Sequence, residues 1–477
     1  MAISTYASAN IRAYFQSKRA GIDAQLVARV VEFIGATQAT LDCAIYDLRH
    51  PEILAALARV AAKPHVRLRI AFDASGERNG PGITGDPKPS GTHQAIAEAG
   101  LLERATPIHE HGRHLMHDKF LVRDGREVWV GSANMTVGGL ELQDNNCLAI
   151  ASQPLAARYT ATFEELISPN HHHEDSRNAK AQSSPPPAPV TVDGAQIAPY
   201  FAPAAGEGIE DALIEAIRHA RRIRIFAFLL GDPGILEALA PLASNHAFDI
   251  RGIYDPHGMQ DVMRTGGHAG HAGKSAHAAP DDSRFWFVHD KRFIAAPTHG
   301  FAPGREQDFM HNKVMIIDDR MVFTGSYNFS ENAEDNDETL LAIDSPALAE
   351  AYTAYFDALE AAYGGARQPV AAAAVASTGA AVGAGAVAVA ERGHTGSQDV
   401  VDHLRREHSR NQPTRERAPA ARGTRAAKAG RHERVSRAKS NPSALDGPIG
   451  AVLTLALLTA LALVAFVALT LAGVLFH

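Results

Sequence analysis

The chain has 477 residues, 45% of them apolar and 21% charged, the composition of a globular protein with room for two or three domains and their cores. Its net charge of −7 is uneven: residues 391–440 hold 13 Lys and Arg against six Asp and Glu, a local +7 that leaves −14 for the remainder. An acidic body with a basic tail argues against a protein that coats nucleic acid through its main body.

No apolar run of signal-peptide length occurs in the first 19 residues, so nothing there directs export. Leu26, Val27, Val30, Val31 and Ile34 recur at helical spacing and predict an amphipathic helix. Residues 40–46 read as a strand, 51–62 as a helix opened by Pro51, 66–72 as a second strand and 73–90 as a Gly- and Pro-rich loop. A short helix is expected over 92–99, and two strands over 119–122 and 127–130 around the Asp124-Gly125 turn. Residues 147–151 predict another strand and 155–167 a closing helix. Cys43 and Cys147 fall in these apolar runs and read as buried, reduced thiols.

The first half is therefore set at 1–168, a His- and Pro-rich linker at 169–195, and a second half at 196–365. That second half repeats the plan, with helices over 209–220 and 233–242 and strands over 223–229 and 248–254. Pro51 and Pro233, Leu54 and Leu236, Leu57 and Leu239, and Asp73 and Asp255 stand at a constant offset of 182. The chain is an internal duplication. Its alternating strands and helices predict an α/β fold: two α/β sandwich halves with mixed sheets, related by a pseudo-two-fold axis.

Residues 366–448 read as a flexible Ala/Gly-rich, then basic, tether. The 28 residues 449–476 carry no charge, against roughly 20 needed to cross a bilayer, and predict a transmembrane helix. The basic stretch before it predicts a single-pass tail anchor with the catalytic part in the cytoplasm.

One stretch occurs twice. Met116-His117, Lys119 and Asp124 match Met310-His311, Lys313 and Asp318, and Gly131-Ser132-Ala133-Asn134 matches Gly325-Ser326-Tyr327-Asn328. In a strand, residues i and i+2 share a face, so His117 projects with Lys119 and His311 with Lys313. These paired motifs resemble those of the phospholipase D superfamily of phosphodiesterases.

The resemblance, over roughly residues 20–365, implies one active site between the halves, with a His and a Lys from each. Two imidazoles and two ammonium groups together would trap a phosphate. The family mechanism implies a phosphohistidine on one His while the other protonates the leaving alcohol, with the lysines stabilising the transition state and neither metal nor other cofactor needed. Asp124 and Asp318 complete the catalytic motif; their place near the turn suits orienting or structural groups rather than reactants. Ser132, Asn134, Ser326 and Asn328 can bond phosphate oxygens or hold the His-bearing strand.

The copies differ. Asn336-Asp337-Glu338 matches the family's Asn-x-Glu, whose Glu supports a catalytic His; Gln143-Asp144-Asn145 stands there in the first copy. A carboxylate beside His311 would raise its pKa, so the expected division makes His117 the nucleophile and His311 the general acid.

Other signals weigh less. His109, His111 and His114 lack cysteines and suit a solvated loop at the active-site mouth better than a zinc site. Gly270 to Ser275 lacks the first Gly of a nucleotide-binding loop. The expected function is hydrolysis of a membrane phospholipid at the head-group side of the phosphate by a monomer, with the membrane as partner. The alternatives are a nuclease of the same superfamily, a cardiolipin-synthase-like transferase and, least favoured, a scaffold that only binds membranes.

Overall fold

Each half builds one eight-stranded sheet, and both sheets have the same order. In the first, strands β1 (Thr5–Ala7), β2 (Ile11–Gln16), β3 (Thr40–Ile45), β4 (Arg67–Asp73), β5 (Ala105–Ile108), β6 (Lys119–Arg123), β7 (Glu127–Gly131) and β8 (Asn145–Ala151) lie in the order β1-β2-β8-β7-β6-β3-β4-β5. In the second, β9 (Val190–Val192), β10 (Ala195–Ala202), β11 (Arg222–Ala227), β12 (Asp249–Tyr254), β13 (Phe293–Ala295), β14 (Lys313–Ile317), β15 (Met321–Gly325) and β16 (Glu338–Asp344) lie in the order β13-β12-β11-β14-β15-β16-β10-β9. β3 runs parallel to β4 and β4 to β5, as β11 does to β12 and β12 to β13; the remaining pairs are antiparallel. The sheets are mixed, as the duplication predicts.

This is a computed structural model of the protein, and it describes residues 4–75, 91–110, 114–169, 186–245, 247–265, 282–300 and 307–364. These all belong to one compact unit, Met1–Gln412. The expected tether and transmembrane helix, His111 and most of the expected linker lie outside the described residues. Among those described, no helix is long and apolar enough to cross a membrane.

Both faces of each sheet are covered, so the central strands read as near-continuous apolar runs. In β6, Phe120 and Val122 enter a core shared by both halves, whereas Leu121 enters the first half's own core. β14 repeats this: Val314 and Ile316 face the shared core, Met315 and Ile317 the second half's own. Helices Gln153–Leu166 and Pro346–Ala362 also contribute to the shared core through Tyr159, Phe163, Tyr352 and Tyr355. Each is capped by the serine ahead of it, Ser152 or Ser345, whose side chain accepts a backbone N–H of the first turn.

Several strands have no counterpart in the sequence reading: β1, β2, β5, β9, β10 and β13. Of these, β9 and the start of β10 fall inside 169–195, so that stretch is not linker throughout. Asp193-Gly194 forms their turn with φ of 49° and 83°, the left-handed pair that a two-residue hairpin requires.

Candidate active site

The motif strands are tied to one another through the residues that lead into them. Met116 bridges to Asp337 and Met310 to Asp144. The His117 N–H donates to Asp337 O at 2.9 Å and the His311 N–H to Asp144 O at 2.9 Å. In return, Asp337 N donates to Leu115 O and Asp144 N to Phe309 O, each at 2.9 Å. From the same half, Asp73 Oδ1 accepts Met116 N at 3.0 Å and Asp255 Oδ2 accepts Met310 N at 2.9 Å. Both motif strands are thus held from two sides before their side chains are considered.

This cross-pairing decides which residue faces which imidazole, and it corrects an expectation. Glu338 follows Asp337 and so stands beside His117, not His311, with its two oxygens 2.8 and 2.9 Å from Nδ1. Asn145 follows Asp144 and stands beside His311, its Oδ1 3.2 Å from Nδ1, where Ser132 O lies at 3.1 Å. Glu338 and Asn145 are equivalent positions, but each serves the histidine of the other half. Position in sequence cannot reveal that exchange.

Burial then sets the charges. His117 and His311 are each only 7% exposed, and burial holds both well below the usual imidazole range, with Lys119 and Lys313 adding to the effect. Lys119 is pushed down to about 8 by burial, against the pull of Glu338 and Asp118. Lys313 is lowered well below the ordinary lysine range by burial and by Lys119. Glu338 is pushed up to about 8 by burial, opposed by Lys119. Crowded, desolvated cationic groups of this kind favour the entry of an anion.

Each ammonium is also tethered: Lys119 Nζ donates to His117 O at 2.7 Å and Lys313 Nζ to His311 O at 2.8 Å. An aromatic ring completes each half-site. Tyr46 lies 4.8 Å from the His117 ring and 5.0 Å from Lys119 Nζ; Phe228 lies 4.9 Å from the His311 ring and 5.2 Å from Lys313 Nζ. The sequence reading missed both, although 46 and 228 stand at the same offset of 182 as the repeat.

The other expected site residues divide into two groups. Ser132 and Ser326 are buried beside the histidines: Ser132 Oγ donates to Asn145 Oδ1 at 2.7 Å, and Ser326 Oγ accepts Thr339 N at 2.9 Å. Asn134 and Asn328 follow, each with a buried carboxamide oxygen that has no hydrogen-bond partner among the described residues. The glycine opening this motif is dictated by close approach, since a Cβ at Gly131 would meet Asn146 O at 2.3 Å and one at Gly325 would meet Thr339 O at 2.1 Å.

Asp124 and Asp318, by contrast, stand away from the site. Five residues at about 3.3 Å each put Asp124 roughly 16 Å along the chain from Lys119. Its carboxylate accepts the N–H groups of Gln38, Ala39 and Thr40 at 3.1, 2.7 and 2.9 Å. Asp318 Oδ1 accepts those of Arg221 and Arg222 at 2.8 and 2.7 Å. Both hold φ near +52° at the turn and pin it to the loop before the neighbouring strand. They are turn anchors, the structural role rather than the orienting one, and stand outside the catalytic set in which the motif had placed them. Of the histidine loop, His109 Nδ1 bonds Ala74 O at 3.1 Å, and His111 is outside the described residues.

A duplicated α/β fold that joins one His and one Lys from each half defines an enzyme of phosphodiesterase or phosphatidyltransferase type. The profile of the family described as "Cardiolipin synthase, PLD-like domain" matches residues 30–167 and 213–360. The chain belongs to that family, within the phospholipase D superfamily. Phosphatidylserine synthase from Haemophilus influenzae Rd KW20 shares the fold, with a TM-score of 0.51 at 16% identity over 73% of this chain and 86% of its own. NucT from Helicobacter pylori aligns at 22% identity over 35% of this chain and 97% of its own, with a TM-score of 0.27. Nuc from Salmonella typhimurium, a phospholipase D family member, aligns at 22% over 34% and 92%, with a TM-score of 0.24. No curated protein matches the sequence.

Proposed function

We propose that the chain cleaves the phosphodiester of a membrane phospholipid in two steps, through a phosphohistidine on His117. The observation that carries this reading is the contact of the buried Glu338 carboxyl with His117 Nδ1 at 2.8 Å. Donation of Nδ1–H to Glu338 leaves Nε2 with its lone pair as nucleophile. When Nε2 bonds to phosphorus the ring becomes cationic, and the carboxylate stabilises it, as the Asp of a serine-protease triad stabilises its imidazolium. His117 thus keeps the role expected of it for a different reason. Its carboxylate steadies the phosphorylated ring.

In the first step the Nε2–P bond forms as the bond from phosphorus to the head-group oxygen breaks, and His311 Nε2–H gives its proton to that oxygen. Nδ1 of His311 faces two neutral acceptors, Ser132 O and Asn145 Oδ1. Its pKa is low in the free chain, and a bound phosphate raises it. In the second step water attacks phosphorus, His311 recovers a proton from it, and the His117 bond breaks to leave phosphatidic acid. Lys119 and Lys313 stabilise charge on the non-bridging oxygens.

A lipid substrate is favoured by the family's description, by the acidic body and by the uncharged stretch 449–476, which would hold the enzyme against a bilayer. Transfer of the phosphatidyl group to an alcohol is the second reading, also favoured by that description. The test offers the full chain in mixed micelles phosphatidylcholine, phosphatidylglycerol, cardiolipin, and single- and double-stranded nucleic acid, beside His117→Ala and His311→Ala. Phosphatidic acid supports hydrolysis, and cardiolipin formed from phosphatidylglycerol supports transfer. Nucleic-acid cleavage without lipid turnover refutes the lipid reading.

A further inference from the structure

Outside the catalytic centre, the two halves differ in charge at one equivalent place. In the first half His50 precedes the helix Pro51–Ala61, and its Nε2 lies 3.0 Å from Glu141 Oε1. In the second half the corresponding residue is Asp232, which caps the helix Pro233–Ser244 through Ile235 N at 2.9 Å. Glu334 stands where Glu141 does, and Glu210, on the helix Gly206–His219, replaces Ala28 at the offset of 182. A His–Glu pair has become three carboxylates. One oxygen from each lies within 4.8 Å of the others.

One further buried polar atom lies near this cluster. The Tyr327 hydroxyl belongs to a side chain with 0% exposure and has no hydrogen-bond partner among the described residues; Glu334, Asp232, Glu338 and Glu210 are its charged neighbours. Asp232 spends Oδ1 on its cap and is joined to Glu210 by a side-chain hydrogen bond. Three carboxylates brought this close repel one another, so the cluster gains from a cation that neutralises it. A Cβ at Gly234 would meet Glu210 Oε1 at 1.9 Å, and one at Gly206 would meet Glu334 O at 2.4 Å. Two glycines thus allow the carboxylates to converge.

We propose that Glu210, Asp232 and Glu334, with the Tyr327 hydroxyl, form a binding site for a hard divalent cation of the calcium class. Oxygen ligands on opposite sides of an ion are separated by at most twice the bond length, about 4.6–5.2 Å for calcium and about 4.0–4.2 Å for magnesium. The convergence of the three carboxylates leaves room for either spacing, and their mix of buried and half-buried residues suits the more adaptable calcium shell better than magnesium, which keeps several waters. Its place in the chain gives the site a consequence: Tyr327 lies between Ser326 and Asn328, and Glu334 stands four residues before Glu338. A bound ion would brace the segment that carries Glu338 to His117.

The test titrates the full-length chain, stripped with chelator, with calcium by calorimetry and follows its melting temperature. Calcium is the appropriate probe because the chain's 24 histidines are poor ligands for it. We expect one site per chain with a dissociation constant on the order of 10⁻⁵–10⁻³ M and a calcium-dependent rise in melting temperature. Glu210→Gln with Glu334→Gln should lose both. Asp232→Asn keeps a good cap and should weaken binding at least ~10-fold, so a folding defect cannot mimic the result. No binding to the wild type at 10 mM calcium, or equal binding by the wild type and all variants, overturns the proposal. The first outcome, with Glu210→Gln raising the melting temperature, assigns the cluster a shared proton instead.

Discussion

Glu338→Gln isolates the charge that His117 is proposed to need. Glutamine keeps the shape, and its amide oxygen can still accept Nδ1–H, so the ring stays oriented. What disappears is a negative charge whose oxygens lie 2.8 and 2.9 Å from Nδ1, about 4 Å from the middle of the charge on a phosphorylated ring. At an effective dielectric of about 20, two unit charges ~4 Å apart interact by roughly 4 kcal/mol, or about 10³ in rate. Single-turnover head-group release should therefore slow about 10³-fold, with KM nearly unchanged because Glu338 supports His117 rather than the substrate. Stability should not suffer: Glu338 is fully buried, and the amide of the same shape carries no charge that burial would penalise. A variant that folds like the wild type and keeps more than a tenth of the rate would refute the role given to this carboxylate.

Three more outcomes test the site and its supports. The alkaline limb of kcat/KM should fall near pH 8, because Lys119 loses its proton at about 8 in its buried place rather than near the ordinary ~10.4; a limb at pH 10 would contradict this. Asp124→Ala and Asp318→Ala should each lower stability by about 1–3 kcal/mol through stranded backbone N–H groups while kcat stays within about threefold, and a hundredfold loss of kcat at unchanged stability would return them to the catalytic set. Asp118 is pushed up to about 8 by burial and by Asp337. A carboxyl with a raised folded-state pKa gives stability that is complete below its unfolded value of about 3.9 and lost as pH rises through about 8. The denaturation midpoint should then fall between pH 5 and pH 8.5, and Asp118→Asn, the residue the second half carries at 312, should reduce that fall.

The repeat made much of this legible. Identical spacing at His117 and His311 located the motif strands, and the 182-residue offset located the strands and helices around them. Short edge strands such as β1 and β13, three residues each, were invisible because so few residues show no period. β10 was hidden because Pro199 interrupts its apolar run. At the site, the four His and Lys residues were readable and their partners were not. Sequence places Glu338 after the second motif, whereas the bridges Met116–Asp337 and Asp144–Met310 exchange such residues between halves. Asp124 misled in the opposite sense: its fixed spacing from His117 reflects a turn that must be pinned, at the far end of β6 from the chemistry.

The exchange also explains what a duplicated chain can do that a symmetric dimer cannot. Two identical subunits would place the same residue beside each histidine, so neither would be marked as nucleophile. Here Glu338 faces His117 and Asn145 faces His311, so the two rings differ in the charge available to steady a phosphorylated form. If that difference selects the nucleophile, restoring the symmetry should blur the selection. Asn145→Asp keeps the side-chain shape and puts a carboxylate where Oδ1 now lies, 3.2 Å from His311 Nδ1. Its charge would stabilise a cationic His311 ring to an extent comparable with the pair on the other side. Peptide mapping by mass spectrometry after a denaturant quench at neutral to alkaline pH, which spares the acid-labile P–N bond, should find the phosphoryl adduct on His117 alone in the wild type and on both histidines in Asn145→Asp. Phosphate confined to His117 in a folded Asn145→Asp would mean that something other than the supporting carboxylate chooses the nucleophile, and phosphate on His311 in the wild type would reverse the roles.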